Sequence, residues 1–378
     1  MSRRRRCLGA LAGLTAMTLG LPVTRSLAAP ATTRDLLDRP APPTTRGPTR
    51  LLLDIARGGP GLVAVGEMGL ILGSPDGGKT WHQQASPTSV MLTSVAFADA
   101  RTGWAVGHDG VILATRDGGA RWWRQFDGRQ ANEAVRQSAR EELAGASAAR
   151  KAQAEDALAS AEDAIAAGPS RPLLSLHVVD ARRVLVVGAF GQFFATDDAG
   201  ARWRYLGAAL PNPDGLHLYG VGADAQGALH IAGEQGLVFV STDGGARWTR
   251  TETGYAGNLY GVRALPARPD TWLAYGFNGH LFRSTDRGAR WSAVDASPSP
   301  KTWVHAAPRD GALWLLAEDG RLFVTGDGAR FDPAPLPAPA ALPARRHAGF
   351  SFDAEGRQLV AVGQGGIGRL PLTTLTRV

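Results

Sequence analysis

The residues of this sequence best placed to do chemistry are aspartates that recur in a fixed local pattern, Ser/Thr-x-Asp-x-Gly-x-x-Trp. The aspartates are Asp76, Asp117, Asp198, Asp243, Asp286 and Asp327, and the aromatic positions are Trp81, Trp122, Trp203, Trp248, Trp291 and, in a sixth copy that is one residue shorter, Phe331. A carboxylate and a hydroxyl at this spacing can accept backbone N–H bonds within one turn, where the Gly allows a positive φ. Because a catalytic role would require several equivalent sites, we interpret the pattern as structural.

A second pattern, a strand that ends in a tight turn such as Val65-Gly66-Glu67-Met68-Gly69, precedes each aspartate motif. Its seven copies end at Gly69, Gly110, Gly191, Gly236, Gly279, Gly320 and Gly366. Successive motif aromatics lie roughly 40–45 residues apart, which is the blade length of several propeller families, but Trp122 and Trp203 lie about twice as far apart. No turn falls between residues 123 and 180, so the double step contains an insertion rather than a lost repeat.

Each repeat divides into four short strands, which in the first repeat are 51–56, 62–66, 70–73 and 79–83. Four strands in a repeat of this length are typical of a propeller blade. We therefore predict an all-β fold, a seven-bladed β-propeller of four-stranded blades over residues 51–372. The last repeat has no aspartate motif, so we expect its outer strand to be short or to come from the segment before residue 51.

The insertion, residues 128–170, has a helical composition. Residues 131–168 are rich in Ala, Glu, Gln and Arg and contain no Pro, which predicts an α-helical hairpin that breaks near Gly145. Few large apolar side chains are present, so we expect only a thin buried seam. Two interpretations remain open: a solvated hairpin, or an arm that docks a partner.

The first 28 residues have the pattern of an export signal. Arg3, Arg4, Arg5 and Arg6 precede a moderately apolar stretch, and small residues end it at Ala28. The pattern fits either a twin-arginine or a Sec signal and predicts a periplasmic protein. Residues 29–50 contain five prolines and are predicted to form a linker.

Charge and composition argue against several classes of protein. Lys plus Arg minus Asp plus Glu gives 41 − 34 = +7, but the five arginines of the first 28 residues account for most of this excess, and the remainder is 36 − 34 = +2. A nucleic-acid partner therefore has little support. A single Cys excludes a disulfide framework, and no apolar run after residue 30 is long enough to span a membrane.

An enzyme of the sialidase or another glycosidase class is the main alternative. Tyr219 and Tyr260 occur in equivalent Leu-Tyr-Gly segments, and Glu234 is expected near the first of them. A sialidase would also require three arginines around the substrate carboxylate, and the regularly spaced arginines here belong to the aspartate motifs. The Gly363–Gly368 segment has the letters of a dinucleotide motif, but too few residues follow it to form the required helix. We expect no cofactor, no metal and no catalytic residue.

The aspartate motifs are Asp-boxes, also called bacterial neuraminidase repeats, and the combination of turn, box and repeat number resembles the photosystem II stability and assembly factor family. The resemblance covers about residues 50–372. It implies a seven-bladed propeller in the periplasm or thylakoid lumen that is a non-enzymatic assembly factor and binds newly made photosystem reaction-centre protein. The helical insertion departs from that family pattern, which leaves the partner open.

The topology of a four-stranded blade places the turns between strands two and three on the face opposite the Asp-boxes, together with the helical insertion. The candidate residues of this face are Glu67, His108, Phe190, Glu234, Gln235, Asn278, Glu318, Asp319 and Gln364. Loops on a rigid frame commonly carry binding residues. We expect this face of a monomeric protein to bind a periplasmic segment of a membrane protein or an assembly intermediate.

Overall fold

The structure of the protein is a computed structural model that describes residues 35–59, 61–296, 301–336, 341–343 and 345–372. The predicted export signal, residues 1–28, lies outside the described residues. So do residues 29–34 of the predicted linker.

The strands of the described residues form seven antiparallel sheets. Blade 1 contains β1 (Leu52–Gly58), β2 (Gly61–Gly66), β3 (Ile71–Ser74) and β4 (His82–Gln84). Blade 2 contains β5 (Leu92–Phe97), β6 (Gly103–Gly107), β7 (Ile112–Thr115) and β8 (Trp123–Phe126). Blade 3 contains β9 (Leu173–Val178), β10 (Val184–Gly188), β11 (Phe193–Thr196) and β12 (Arg204–Tyr205). Blade 4 contains β13 (Leu218–Ala223), β14 (Leu229–Gly233), β15 (Leu237–Ser241) and β16 (Thr249–Glu252).

The remaining three blades continue the same order. Blade 5 contains β17 (Leu259–Leu265), β18 (Arg268–Gly276), β19 (Leu281–Ser284) and β20 (Ser292–Ala293). Blade 6 contains β21 (Trp303–Arg309), β22 (Ala312–Ala317), β23 (Leu322–Thr325) and β24 (Asp332–Pro333). Blade 7 contains β25 (His347–Phe352), β26 (Gln358–Gly363) and β27 (Gly366–Pro371).

The first strands of neighbouring blades contact one another, and β25 contacts β1, so the sheets close into a ring. The predicted all-β seven-bladed propeller is confirmed. One detail differs, since blade 7 has three strands among the described residues, and neither a short fourth strand nor a strand from the segment before residue 51 completes it there. The last repeat lacks the Asp-box, which in the other blades is the turn that leads into the fourth strand.

The second strand of each blade is the most buried part of the fold. All residues of β2, β6, β10 and β14 are buried. A blade packs against a neighbour on each face, so both sides of this strand face protein and its sequence is a continuous apolar run rather than an alternating one.

The insertion forms the two predicted helices, α1 (Gly128–Ala144) and α2 (Lys151–Ala167), with Gly145 directly after the first. The buried apolar side chains of the two helices are small: Ala139, Ala154, Ala161 and Ala164, together with Ala131, which packs in the apolar cluster of blades 2 and 3. The larger apolar residues contribute less, and Ile165 is exposed. Alanines let the two helices approach closely, which compensates for the scarcity of large apolar residues.

Residues 35–50, which we call the N-terminal strap, lie against the propeller. Leu37 is fully buried in the apolar cluster between blades 1 and 2. The Ser89 N–H donates to the Leu36 carbonyl at 2.8 Å, and Gln83 bonds the backbone of Thr44 and Pro42 at 2.8 and 2.9 Å. This part of the predicted linker is therefore packed along blades 1 and 2.

Candidate partner-binding face

The two faces of the propeller carry different kinds of connection. In each blade with an Asp-box, the box joins the third strand to the fourth. The turns between the second and third strands lie on the other face, at residues 67–69, 108–110, 189–191, 234–236, 277–279, 318–320 and 364–365. We call this the ring-turn face. The connections between blades open onto the same face, and they include the helical hairpin, which we call the arm.

The first Asp-box shows how its turn is held. Asp76 Oδ1 accepts the backbone N–H groups of Lys79 and Thr80 at 3.0 and 2.9 Å and the Ser74 hydroxyl at 3.0 Å. The Ser74 hydroxyl in turn accepts the N–H of Gly78, which has φ 84°. The carboxylate and the hydroxyl are thus both used inside the turn, which leaves this motif a structural role.

The same donors change the titration of the box aspartates. The N–H groups of the turn hold the pKa of Asp76, Asp198, Asp243, Asp286 and Asp327 below the usual range of a carboxyl group. The cause is a set of hydrogen bonds to the ionised form, led by a backbone N–H in each case.

The aromatic residue of each box packs towards the preceding blade. The Trp122 ring is buried in the cluster between blades 1 and 2, and its Nε1–H donates to the Gly119 carbonyl at 2.8 Å. Trp248 meets Phe193 of blade 3 edge-on with ring centroids 5.4 Å apart. Trp81, Trp203, Trp291 and Phe331 are half-buried at the corresponding places. These rings join neighbouring blades.

Five turns of the ring-turn face share an unusual backbone conformation at their middle residue. The middle residue has positive φ, between 52° and 56°, at Met68, Asp109, Phe190, Gln235 and Asn278. A non-glycine residue in this region is uncommon and costs backbone energy. The same conformation is repeated in five blades. The side chains of Met68 and Phe190 at this position are exposed, with exposed fractions of 51% and 55%.

The candidate residues predicted for this face do not all lie free in solvent. His108, Phe190, Gln235, Asn278, Asp319 and Gln364 are exposed, whereas Glu67, Glu234 and Glu318 are half-buried. Glu67 lies 3.5 Å from Arg50, and Asp319 accepts the Arg321 side chain at 3.0 Å. Met68 and Phe277, which were not among the predicted residues, are the other exposed large apolar residues in these turns. The x-x-Gly spacing could have indicated Met68, which directly precedes Gly69, but not Phe277, which lies two residues before Gly279.

Phe190 lies where the arm returns to the propeller. The Arg171 guanidinium, just after α2, lies over the Phe190 ring at 5.2 Å from its centroid. The His217 ring also contacts it, with ring centroids 4.7 Å apart, and His217 Nδ1 accepts the Phe190 N–H at 3.3 Å. The ring is thus held in place while more than half of its surface is exposed.

The base of the arm is attached to the ring-turn face and to the strap. Asp127 caps α1 by accepting the Arg129 N–H at 2.9 Å, and Gln130 completes a capping box. Gly128 lies so close to the Asp109 carbonyl of the blade 2 turn that a Cβ atom would clash with it. Arg129 pairs with Asp35 and Asp38 of the strap at 2.8 and 2.9 Å.

An aromatic and acidic group stands at the mouth of the central channel on this face. Tyr219 and Tyr260 meet edge-on with centroids 5.4 Å apart. Burial, with the nearby Glu234 carboxylate, raises the pKa of Tyr219 to about 12. Glu234 also accepts the His217 N–H at 2.7 Å. The Tyr and Glu of the sialidase alternative therefore meet, but the arginines that line the channel in the described residues are two, Arg57 and Arg263.

Two further features, clusters of metal-ligating side chains and membrane-spanning helices, concern the part of the chain that the structure describes. No group of three or more His, Cys, Asp or Glu side chains is placed to hold a metal ion there. None of the helices described is both long enough and apolar enough to cross a bilayer.

Comparison with known proteins gives relatives for one part of the chain and for the whole fold. Residues 49–130 match the family described as photosynthesis system II assembly factor YCF48. The photosystem II assembly lipoprotein Ycf48 of Synechococcus sp. (strain CC9902) is 34% identical over 94 residues, which are 24% of this chain and 28% of that protein. The chain thus matches little more than a quarter of the length of that relative.

Two solved structures extend the similarity to the complete propeller. A structure of YCF48 bound to a D1 peptide has a TM-score of 0.60 and 16% identity and covers 86% of this chain and 94% of its own. YCF48 from Cyanidioschyzon merolae has a TM-score of 0.57 and 16% identity, with coverage of 88% and 98%. The chain is therefore similar to photosystem II assembly factors over residues 49–130 in sequence and over the whole propeller in fold.

A third structure shows that the fold is shared more widely. PorZ, a surface component of the type-IX secretion system of Porphyromonas gingivalis, has a TM-score of 0.52 and 15% identity and covers 86% of this chain and 37% of its own. Similarity at this level of identity establishes the propeller fold and does not identify a partner.

Proposed function

We propose that this protein is a non-enzymatic, monomeric assembly factor of the periplasm, which binds a periplasmic segment of a membrane protein, or an assembly intermediate, on its ring-turn face. By resemblance, the segment belongs to a photosystem reaction-centre protein. The observation that carries the proposal is the exposed Phe190 ring, in contact with Arg171 and His217 where the arm meets the blades. Met68 and Phe277 add exposed apolar surface in other turns of the same face.

The opposite face offers much less to a partner. The carboxylates and hydroxyls of the Asp-boxes are used within their own turns, and their rings lie between blades. A solved relative is described as bound to a D1 peptide, which supports peptide binding by a propeller of this kind. Predominantly apolar anchors surrounded by polar residues are the usual composition of a protein-binding surface.

The arm is proposed to form one side of this surface. Glu142 and Arg150 pair at 3.0 Å near its tip, and a groove of about 580 Å³ separates the helices from the loop at residues 205–213. A partner segment that lies across Phe190 would contact both the arm and the ring turns.

The test is site-specific photo-cross-linking in the periplasm, with a photoreactive residue in place of Phe190 or, as a matched control on the box face, Ala201. We expect membrane-protein partners to be captured at position 190 and not at 201. A form with residues 131–167 replaced by a short Gly-Ser linker should capture them at least several-fold less well. If the linker form folds and captures the same partners equally, the arm has no docking role. Equal capture from positions 190 and 201 would contradict the assignment of partner binding to the ring-turn face.

A further inference from the structure

The central channel of the propeller is a polar cavity of about 600 Å³. The proposed binding of a partner on the ring-turn face does not involve this cavity. It extends from Tyr219 and Tyr260 at the ring-turn face to Arg57 and Phe97 towards the other face. Cavities of roughly 300–1,000 Å³ commonly hold small molecules. The channel is therefore large enough for a ligand of its own.

Strand pairing shows which side chains share the middle of the channel. In each blade, one residue of the first strand pairs with the residue that lies three positions before the last residue of the second strand. These seven equivalent residues are Ala56, Ala96, His177, Gly222, Arg263, Ala307 and Ser351. All except His177 and Arg263 are Gly, Ala or Ser. The small residues leave an open space, and the two large polar side chains border it.

Arg263 is a charged group whose guanidinium forms no direct ion pair among the described residues. Its Nη1 donates to the carbonyls of Val221 and Val262 at 3.0 and 2.9 Å. Among the described residues, no carboxylate lies within 4.0 Å of this guanidinium and no protein group accepts from its Nε or Nη2. An arginine stays protonated in proteins, and its N–H groups match a planar carboxylate in a bidentate pair.

Asp54 is close enough to Arg263 for their charges to interact, but neither Asp54 nor the channel histidines form a hydrogen bond or ion pair with the guanidinium. Burial and the Arg263 charge lower the pKa of His177 to about 4 and that of His305 to about 3, so both rings are neutral at neutral pH. His305 Nδ1 is buried and has no partner in the described residues. Burial raises the pKa of Asp54, and its oxygens already accept from Ser94 Oγ, the Val95 N–H and the Ile55 N–H at 2.8–2.9 Å.

We propose that the central channel is a binding site for a small organic monocarboxylate. The ligand carboxylate pairs with Arg263 and receives a further N–H bond from the neutral His177 imidazole, and its apolar remainder extends towards Tyr219 and Tyr260. One unpaired guanidinium matches one negative charge, which favours a monocarboxylate over a phosphate. This site is independent of partner docking on the ring-turn face.

The test is calorimetric titration of the full-length mature protein with benzoate and acetate, with sodium chloride and phosphate as comparison anions. We expect saturable one-to-one binding of benzoate, weaker binding of acetate, and no matching signal from chloride or phosphate. Arg263→Met should weaken benzoate binding at least tenfold, whereas Arg202→Met on the box face should not change it. Benzoate should also raise the Tm of the wild-type protein and leave that of the Arg263 variant unchanged, as binding linkage requires.

Two further variants keep the proposal testable if Arg263→Met does not fold. Arg263→Lys retains the charge without the bidentate geometry, and Ser351→Leu fills the channel at the same register position; both should weaken benzoate binding. No saturable binding by the wild-type protein would overturn the proposal. So would benzoate binding that survives in the folded Arg263 and Ser351 variants, or phosphate binding that equals it.

Discussion

A carboxylate that accepts several backbone N–H groups combines a structural role with a predictable response to acid. The box aspartates have this role, and the sequence revealed it because the same residue types recur at the same spacing in six repeats. No recurring sequence pattern indicated a role for Arg263 or Asp54. They occur once each, and only the register of the first strands brings them to the channel. Repeated structural residues were therefore predictable, and single residues whose setting depends on ring closure were not.

The lowered pKa of the box aspartates predicts a loss of stability in acid. Asp286 has a pKa below that of the same residue in the unfolded chain, about 3.9. The unfolded state therefore binds more protons, so the stabilisation is complete above about pH 5 and declines as the pH falls through 4 towards the folded-state pKa. We expect the Tm of the wild-type protein to fall steeply below pH 4.

A matched pair of variants isolates this contribution. Asp286→Asn keeps an oxygen acceptor for Ser284 Oγ and the Arg290 N–H but removes the charge. Its Tm deficit relative to wild type should be largest near pH 6 and shrink as the pH approaches 3. Asp156→Asn, at an exposed position on α2, should show no such trend in thermal unfolding followed by circular dichroism. A deficit that does not depend on pH would contradict the electrostatic explanation.

At the scale of elements, the sequence predicted the strands and helices, whereas it did not show how the helical hairpin is attached. The predicted strands of the first repeat agree with β1 to β4 within a few residues, and the break near Gly145 separates α1 from α2. Helix composition could not show how the hairpin is held, because alanines form its seam and Asn132 fixes its base. Asn132 is buried, and its Nδ2 donates to the carbonyls of Ala164 and Gly168 at 2.8 and 3.2 Å.

Asn132→Ala should loosen the arm without unfolding the propeller. The change leaves two carbonyls at the end of α2 without their donor, and a buried unsatisfied group of this kind costs about 1–3 kcal/mol. We expect faster amide hydrogen exchange in residues 151–167 and unchanged exchange in the second strands of the blades. Gln137→Ala on the exposed side of α1 is the control. Unchanged exchange in α2 would show that the alanine seam alone holds the hairpin.

At the scale of the whole molecule, the ring closes without exchange of strands between its ends. Blade 1 is built only from residues near the start of the propeller and blade 7 only from residues at its end, and blade 7 has three strands among the described residues. The joint between them is apolar, with Trp81 packed near Val360 and Val362. Blades 1 and 7 are the two ends of the propeller in chain order, so no connection between consecutive strands crosses this joint.

The N-terminal strap crosses this joint. The Pro48 carbonyl lies so close to Gly366 of blade 7 that a Cβ atom at position 366 would clash with it. Gly47 lies against Leu72 of blade 1. Further back along the strap, Leu37 fills the cluster between blades 1 and 2. One segment thus contacts three successive blades. The sequence allowed this segment to meet the last blade as an outer strand, but composition alone could not show that it packs there without forming a strand or that Leu37 anchors it between blades 1 and 2.

Removal of the strap should therefore destabilise the ring unevenly. A mature form that begins at residue 51 loses the buried Leu37, whose truncation alone typically costs about 2–5 kcal/mol. We expect a Tm lower by several degrees and hydrogen exchange that rises most in β25 to β27 and β1, with blades 4 and 5 nearly unchanged. Leu37→Ala in the full-length protein is the matched comparison, because it removes the apolar anchor between blades 1 and 2 but leaves Pro48 in place. It should lower the Tm while exchange in blade 7 stays low. Exchange that rises equally in all seven blades of the truncated form would contradict a closing role for the strap and would assign it only a general contribution to stability.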